Sequence, residues 1–549
     1  MEKLILVGGQ AGQGADRTSL LIAKTFVSLG YYVFNYRDYA SLIKGGHNFN
    51  VIKISDKPIF SHENSYDVII ALDQETIKQH GQNLKKGGFV LGDKSLKVKN
   101  LISVDIDSIL NKLQFSKIFG NNILLGSLFK VLDLQLPALF KVFKEEFGEK
   151  APLLEKAAKE GYDFVKKKTK VKSSQKSKEN YFFTGSEAIS RGAVMAGLDV
   201  YLAYPMTPAT PVLHLLAAKQ KDEKFSVFQL ENEISVICAA LGSSYAGAMT
   251  MVGTSGGGFA LMAEAMSMVG ISEIPLVVYL SQRTAPATGV PTYTTQGDLK
   301  FAVNIGHGEF PRVVIAPGDP REAILRTVEA FYLSYKYQVL SILLSDKHLS
   351  ESGYTFDKFE RPKVKPLRFI VKNPSADYKR YLLTKNGVSP RAVPSQGPFV
   401  RATSYEHDEE GYTIEDSEWT VKMNDKRFRK VKYLQEEIKK LNPVSIYGQG
   451  ENLIIGWGST KGAIMDALNS LSGFRFMQVS YINPFPAEEV KKEIEKSRKV
   501  VLVENNVTGL LGQIITEKTG CFLEKKLLKY DARPFTSQEV IKGVKRLAR

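Results

Sequence analysis

Apolar residues fall along this chain in short continuous runs rather than in strict alternation. EKLILV (2–7) runs into Gly8-Gly9-Gln10-Ala11-Gly12-Gln13-Gly14, and TSLLIAKTFVSLG then carries apolar positions at helical spacing as far as Gly30. YDVIIALD (66–73) and GGFVLGD (87–93) continue the alternation of strand and helix. DVYLAYP (199–205), MTMVGTS (249–255), IPLVVYLSQ (274–282) and VLSILLSD (339–346) do the same further on. A third set follows in NLIIGWGST, FRFMQVSYI and SRKVVLVENN. Apolar strands separated by helices predict parallel sheets covered on both faces. The expected fold class is α/β, with several doubly wound domains.

The pattern breaks twice. KKKTKVKSSQKSK (166–178) holds seven lysines and no acid, and reads as a solvated linker. Residues 350–445 are rich in proline, tyrosine and charge with little periodicity, and read as a connector or irregular arm. The expected organisation is a first domain over 1–165, a Lys-rich linker over 166–180 and a second domain over 181–350. A connector over 351–445 and a third domain over 446–549 complete it. At 549 residues the chain has room for all of them.

Composition narrows the function. Seven of the sixteen excess positive charges sit in the lysine tract, so the basic balance argues for acidic or phosphorylated small molecules more than for nucleic acid. No run of about 18 apolar residues and no signal-peptide core occur, which points to a cytoplasmic protein without membrane contact. Cys238 and Cys521 are the two cysteines. Two thiols cannot hold an iron–sulfur cluster or a four-thiolate zinc site, and no metal site is expected on this chain.

Candidate chemistry gathers where strands end. The first glycine loop, with Gly12 and Gly14, opens a helix whose amides would attract phosphate, although it is neither GxGxxG nor a P-loop. Lys44-Gly45-Gly46-His47 could bring a cation and an imidazole to the same edge, though His47 alone reads better as structural. Glu231 and Glu233 begin an apolar helix after the strand SVFQL. Acids there suit the helix dipole in any case, but the helix start lies at the carboxyl edge where α/β ligands bind. Gly242 and Gly247 further along suggest close packing. Gly253-Thr254-Ser255-Gly256-Gly257-Gly258 ends the next strand, Tyr204-Pro205-Met206-Thr207-Pro208-Ala209-Thr210 ends another, and Arg283 follows a fourth. An arginine grips a small carboxylate with paired hydrogen bonds. Four strand ends thus offer a carboxylate, a glycine loop, hydroxyls and a cation at one edge. Gly253, Ser255 and Gly257 also satisfy GxSxG, so a serine hydrolase with Asp346 and His348 or His407 is the rival from another class; it lacks an HGGG-type oxyanion loop.

At these residues the chain resembles the 2-oxoacid:ferredoxin oxidoreductases, specifically an α subunit with the γ domain fused ahead of it. GGQAGQG and SLIKGGHN resemble the γ domain. YPMTPAT, ENEISVICAALGSSYAGA, GTSGGG, QRTAPATGVPT, GHGEFPR and LLSD resemble the thiamin pyrimidine-binding domain. GVSPRAVP, EHDEEG and DKRFRK resemble the connector, and INPFPAEE and VVLVENNVTG the transketolase C-terminal-like domain.

The resemblance implies coenzyme A-dependent oxidative decarboxylation of a 2-oxoacid, 2-oxoglutarate or pyruvate, to acyl-CoA, carbon dioxide and reduced ferredoxin. It implies a glutamate against N1′ of thiamin diphosphate. Gly242, nine residues after Glu233, matches the glycine that thiamin enzymes carry there, so Glu233 is the choice and Glu231 the fallback. Thr207, Arg283 and Thr292 fall where the family holds the oxoacid. Pro205, Ser255, Gly256 and Gly257 are the cofactor-side candidates, with Gly12 and Gly14 for coenzyme A. Met206, Ala209-Thr210, Ala285, Ala287 and Gly257 depart from the usual motif residues, and those beside the substrate could alter side-chain preference. There is no GDG with a downstream Asn for Mg2+ and diphosphate, and no cluster cysteines. The family carries both, with its [4Fe-4S] cluster, on a separate β subunit, so that subunit and ferredoxin are the expected partners. Alternatives are an indolepyruvate- or isovalerate-type ferredoxin oxidoreductase subunit and a noncatalytic binding or assembly subunit.

Overall fold

The structure is a computed structural model and describes residues 2–40, 45–166, 180–358 and 360–549. Lys44 and nearly all of the lysine tract lie outside the described residues. Two compact units emerge. The first comprises residues 1–183, 351–359 and 536–538, and the second 184–350, 360–535 and 539–549.

The first unit is built on an eight-stranded sheet. Its strands are β1 (Glu2–Gln10), β2 (Tyr32–Asp38), β3 (His47–Ser55), β4 (Tyr66–Ala71), β5 (Leu84–Asp93), β6 (Leu101–Val104), β7 (Tyr181–Thr184) and, later in the chain, β14 (Gly353–Phe356). Their order is β6-β5-β4-β1-β3-β2-β14-β7. β1 runs parallel to β4 but antiparallel to β3, so only the β1–β6 half is the parallel sheet expected from the apolar runs. Helices Gly120–Val131 and Ala151–Phe164 pack unusually closely over it, because Gly126 and Gly161 present no Cβ: a methyl on either would overlap a backbone carbonyl of the facing helix.

The second unit holds two sheets. One contains β8 (Val200–Ala203), β9 (Ser226–Gln229), β10 (Thr250–Thr254), β11 (Leu276–Gln282), β12 (Arg312–Ile315), β13 (Leu340–Asp346) and β18 (Tyr481–Asn483), in the order β18-β12-β13-β11-β10-β8-β9. All run parallel except β18, which pairs antiparallel with β12. The other contains β15 (Val444–Gly448), β16 (Asn452–Gly456), β17 (Phe474–Val479), β19 (Val500–Glu504) and β20 (Lys526–Leu528), in the order β15-β17-β16-β19-β20. FRFMQVSYI, read as one strand, divides at Ser480 into β17 and β18, which serve different sheets. Buried residues of both sheets, Val252, Val278 and Leu344 with Leu453, Trp457 and Met477, belong to one hydrophobic cluster. The α/β class with several predominantly parallel sheets is therefore what the chain adopts.

The irregular arm contains more order than its pattern suggests. A helix of 23 residues, Ser417–Lys439, runs through its second half, capped by the Asp416 side chain. Its buried positions are Met423, Lys426, Arg427, Lys430, Leu434 and Ile438. The spacing is helical, but half of the buried stripe is cationic.

Candidate functional site

β11, β10, β8 and β9 are neighbours in the sheet, so the segments leaving their carboxyl ends lie side by side, as expected of an α/β ligand edge. The bend after β8 carries Pro205 and Thr207. The helix after β9 begins at Glu233, with Asn232 as its cap. The turn after β10 carries Ser255, Gly256 and Gly257, and Arg283 follows β11.

The two glutamates separate by geometry. Glu231 is exposed, whereas Glu233 is buried and its Oε1 has no hydrogen-bond partner among the described residues. A buried, unpartnered carboxyl oxygen is costly unless a ligand completes it. Glu233 faces the glycine turn closely: a Cβ on Gly258 would lie 2.5 Å from Oε1. Gly242 meets nothing within 4 Å of a built Cβ, so the close packing expected there is not made by this chain. Gly257 is likewise open, while Gly256 faces the Asp298 carboxylate. An aminopyrimidine N1′ fits this site: its hydrogen-bonding need matches the unpartnered Glu233 oxygen, beside backbone that Gly257 leaves open.

Arg283 reaches the bend after β8 directly, its Nη1 donating to the Thr207 carbonyl oxygen at 2.9 Å. Thr292 is buried in the loop that closes back on Arg283, where Thr284 N donates to Tyr293 O. That loop is anchored from the second sheet. Gln296 Nε2 donates to Trp457 O at 2.8 Å, Gln296 Oε1 accepts from Asn505 N at 2.9 Å, and Asn506 Nδ2 donates to Gln296 O. Glu504, fully buried, accepts from Trp457 Nε1, Asn506 Nδ2 and the amides of Leu511 and Gly512; burial raises its pKa, against those donors. Sequence reading assigned no role to Gln296 or the ENN segment, because their partners lie some two hundred residues away.

Asp298 was also missed. It caps the helix Leu299–Asn304 by position, yet its side chain makes no cap bond and turns to the glycine turn. Burial pushes its carboxyl up to about 6, against the pull of Arg283.

The hydrolase arrangement is not assembled. Ser255 Oγ is buried without a hydrogen-bond partner among the described residues. Asp346 accepts from Thr294 Oγ1 and Leu349 N, and His407 stacks on Tyr381 with Nδ1 against Tyr405 O. No base engages the serine.

In the first unit, Gly12 and Gly14 both have positive φ and lead into the helix Ala15–Ser28. They line a cavity of about 920 Å³ that also takes in Arg17, Lys117, Asn121 and Lys150, with Asp93 and Asp107 on its wall. His47 pairs in register with Gln10, near the glycine loop as expected. It lies 2.9 Å from His80 between their Nε2 atoms, with Phe49 packed on both rings. Burial lowers both, His80 to about 4 with His47 adding to the effect, which fits a structural pair.

Comparison with known proteins identifies the family. Residues 191–426 match the model of the pyruvate flavodoxin/ferredoxin oxidoreductase thiamine diphosphate-binding domain, and residues 4–164 that of pyruvate ferredoxin/flavodoxin oxidoreductase. A 2-oxoacid:ferredoxin oxidoreductase subunit alpha from Sulfolobus sp is 31% identical, over 97% of this chain and 95% of the relative. The chain belongs to the 2-oxoacid:ferredoxin oxidoreductase α subunits. A 2-oxoglutarate synthase subunit of Methanothermobacter marburgensis is 30% identical over 62% of this chain and 90% of its own length. The solved 2-oxoglutarate:ferredoxin oxidoreductase of Magnetococcus marinus, with 2-oxoglutarate, coenzyme A and succinyl-CoA bound, superposes with a TM-score of 0.90 at 28% identity, over all of both chains. Family membership makes the α/β sheet edge around Glu233 part of a thiamine diphosphate-binding domain and this chain a subunit of an oxidoreductase.

Proposed function

We propose that this chain is the fused γ–α subunit of an enzyme that oxidatively decarboxylates a 2-oxoacid, 2-oxoglutarate or pyruvate, with coenzyme A. The carbon–carbon bond to the carboxylate breaks, carbon dioxide leaves, two electrons pass singly to ferredoxin, and the coenzyme A thiol takes the acyl group and releases its proton. In this reading residues 1–165 are the γ-type domain, 181–350 the pyrimidine-binding domain and 446–549 the transketolase C-terminal-like domain.

Thiamin diphosphate, when bound, supplies the carbon nucleophile and electron sink that no side chain provides. Glu233 holds a proton at N1′ of the aminopyrimidine through the oxygen this chain leaves unpartnered. Pro205, Ser255, Gly256 and Gly257 shape the wall against the ring, Gly257 by admitting close approach. Arg283, pinned at Thr207 O, keeps the rest of its fork for the oxoacid carboxylate, and Thr207 and Thr292 add hydroxyls. Gly12 and Gly14 border a cavity whose lysines suit the phosphates of coenzyme A. The β subunit would supply Mg2+, diphosphate contacts and the [4Fe-4S] cluster. Phe228, Ile234 and Leu261, each about half exposed, lie on the elements that flank this edge and suit an apolar protein interface. Among the described residues no helix is long and apolar enough to cross a membrane, which accords with the cytoplasmic location we propose.

The observation that carries this reading is the buried, unpartnered Glu233 oxygen at the glycine turn. In the complex with its partner subunit, Glu233→Gln should lower kcat by two orders of magnitude or more, in line with the roughly 10²–10⁴-fold contribution of a positioned proton-transfer group, while the complex still assembles. Turnover at the parental rate would move the role away from Glu233.

A further inference from the structure

Asp298 stands on the same edge and has no part in the reading above. Its main-chain N donates to Gln282 Oε1 at 2.9 Å, and Gln282 Nε2 in turn donates to Ser345 O, so β11 and β13 fix its place. Its Oδ2 is buried without a hydrogen-bond partner among the described residues. The carboxylate lies over Gly256, where a Cβ would come within 2.7 Å of Oδ2. Arg283 follows Gln282 directly in the chain, and its charge opposes the effect of burial on the Asp298 carboxyl. The turn 256–258 carries no charge, Glu233 meets that turn at its far end beside Gly258, and Lys300 on Asp298's own helix turns to Gln513.

The Arg283 charge acts on this carboxylate and would act on an incoming one, and it cannot offset both equally. Ionised, Asp298 offsets Arg283 and repels the substrate carboxylate; neutral, it leaves the cation to the substrate and can donate from Oδ2. We propose that Asp298 is a proton-coupled positioning residue for the oxoacid, taking a proton from solvent as the substrate carboxylate settles on Arg283. This rests on the assignment of Arg283 to the oxoacid carboxylate. Because burial already holds the Asp298 carboxyl up to about 6, the coupling falls in the range where the enzyme can be assayed. The sign follows from linkage: substrate binds better with Asp298 protonated, so KM rises as pH climbs through its free-enzyme value.

The test is steady-state kinetics of the complex with 2-oxoglutarate and with pyruvate between pH 6 and 8. A pKa that rises by about one unit on binding corresponds to tenfold in affinity at the limit, so the parental KM should increase roughly fivefold over this range. Asp298→Asn should show a KM that is low and nearly flat, with kcat following the parental pH profile. A variant KM that rises in parallel with the parental one, or that is high at every pH, overturns the proposal. Should Asp298→Asn not fold, proton uptake by the unmodified complex on binding oxamate, an unreactive pyruvate isostere, is measured in weak buffer near pH 7; uptake of a substantial fraction of a proton supports the coupling and none overturns it. Arg283→Ala separates the two readings. If it leaves KM unchanged, the assignment of Arg283 fails; if it raises KM while Asp298→Asn behaves as the parent, the proton coupling alone fails.

Discussion

Glu233 and Asp298 each hold one carboxyl oxygen buried from water and without a hydrogen-bond partner among the described residues. Such an oxygen lowers stability and is retained where a ligand or a proton completes it. For Asp298 the cost has a pH signature. Its folded-state pKa lies near 6 against an ordinary 3.8, so the native state binds the proton more tightly than the unfolded chain. Stability from the neutral form is full below about pH 4, is lost as pH climbs to 6 and stays lost above it. Replacing Asp298 with Asn removes the ionisation, and should raise the Tm at pH 8 while leaving it nearly unchanged at pH 4. A shift of this size corresponds to about 2–3 kcal/mol. Equal Tm values at pH 8 would mean that the carboxylate is stabilised by a partner when ionised. The place after SVFQL put both Glu231 and Glu233 at a strand's carboxyl edge, and the family resemblance, through Gly242, favoured Glu233. Neither gave any sign of Asp298, whose side chain abandons the cap position its sequence suggests and turns across the sheet edge instead.

Among elements, the helix Ser417–Lys439 shows where pattern reading stops. Its buried positions recur at three- and four-residue spacing, but Lys426, Arg427 and Lys430 occupy positions that hydropathy assigns to solvent. They are buried because the opposite charge is buried with them. Lys426 lies 2.5 Å from Glu273, Lys430 pairs with the same carboxylate, and all three side chains are almost wholly inaccessible. Burial would raise Glu273, yet Lys426, Lys430 and Arg380 hold it well below the usual carboxylate range; burial lowers Lys426 to about 8 against the pull of Glu273. Arg427 makes a two-pronged pair with Glu406. The strands, by contrast, were legible as apolar runs, since a parallel strand covered on both faces needs nothing but apolar side chains. What was illegible in the first sheet is that β3 runs antiparallel to β1, because strand direction does not show in hydropathy. The buried cluster makes a specific expectation. Glu273→Gln leaves two ammonium groups uncompensated, and removing one partner of a buried pair costs about 3–5 kcal/mol. A fall in unfolding free energy of that order, read from urea titration, should accompany the change, whereas a fall within 0.5 kcal/mol, ordinary for surface changes, would show that water enters the cluster.

At the scale of the whole molecule, the family is one of multi-subunit oxidoreductases, and the proposed function assigns the electron-carrying cluster to another subunit. Electrons leaving a 2-oxoacid as single charges need a carrier, and a [4Fe-4S] cluster takes four thiolates. Cys238 and Cys521 are both free, the first exposed on the helix that begins at Glu233 and the second partly buried in the other sheet's half of the unit. Nor does the sequence offer GDG with its asparagine to hold Mg2+ against diphosphate. The relatives' own designation as α subunits points the same way. In the function proposed above, the site around Glu233 is one wall and a partner subunit brings the other. Produced by itself, the chain should fold and bind no stoichiometric iron, and it should reduce no one-electron acceptor on addition of 2-oxoglutarate, coenzyme A, thiamin diphosphate and Mg2+. Mixed or co-produced with a subunit that contains GDG and the cluster cysteines, it should gain acceptor reduction that depends on both coenzyme A and oxoacid, along with apolar burial around Phe228, Ile234 and Leu261 detectable as slowed hydrogen exchange. Oxoacid-dependent acceptor reduction by the isolated chain would sink the two-subunit reading, because it would require an electron path that two separate thiols cannot furnish.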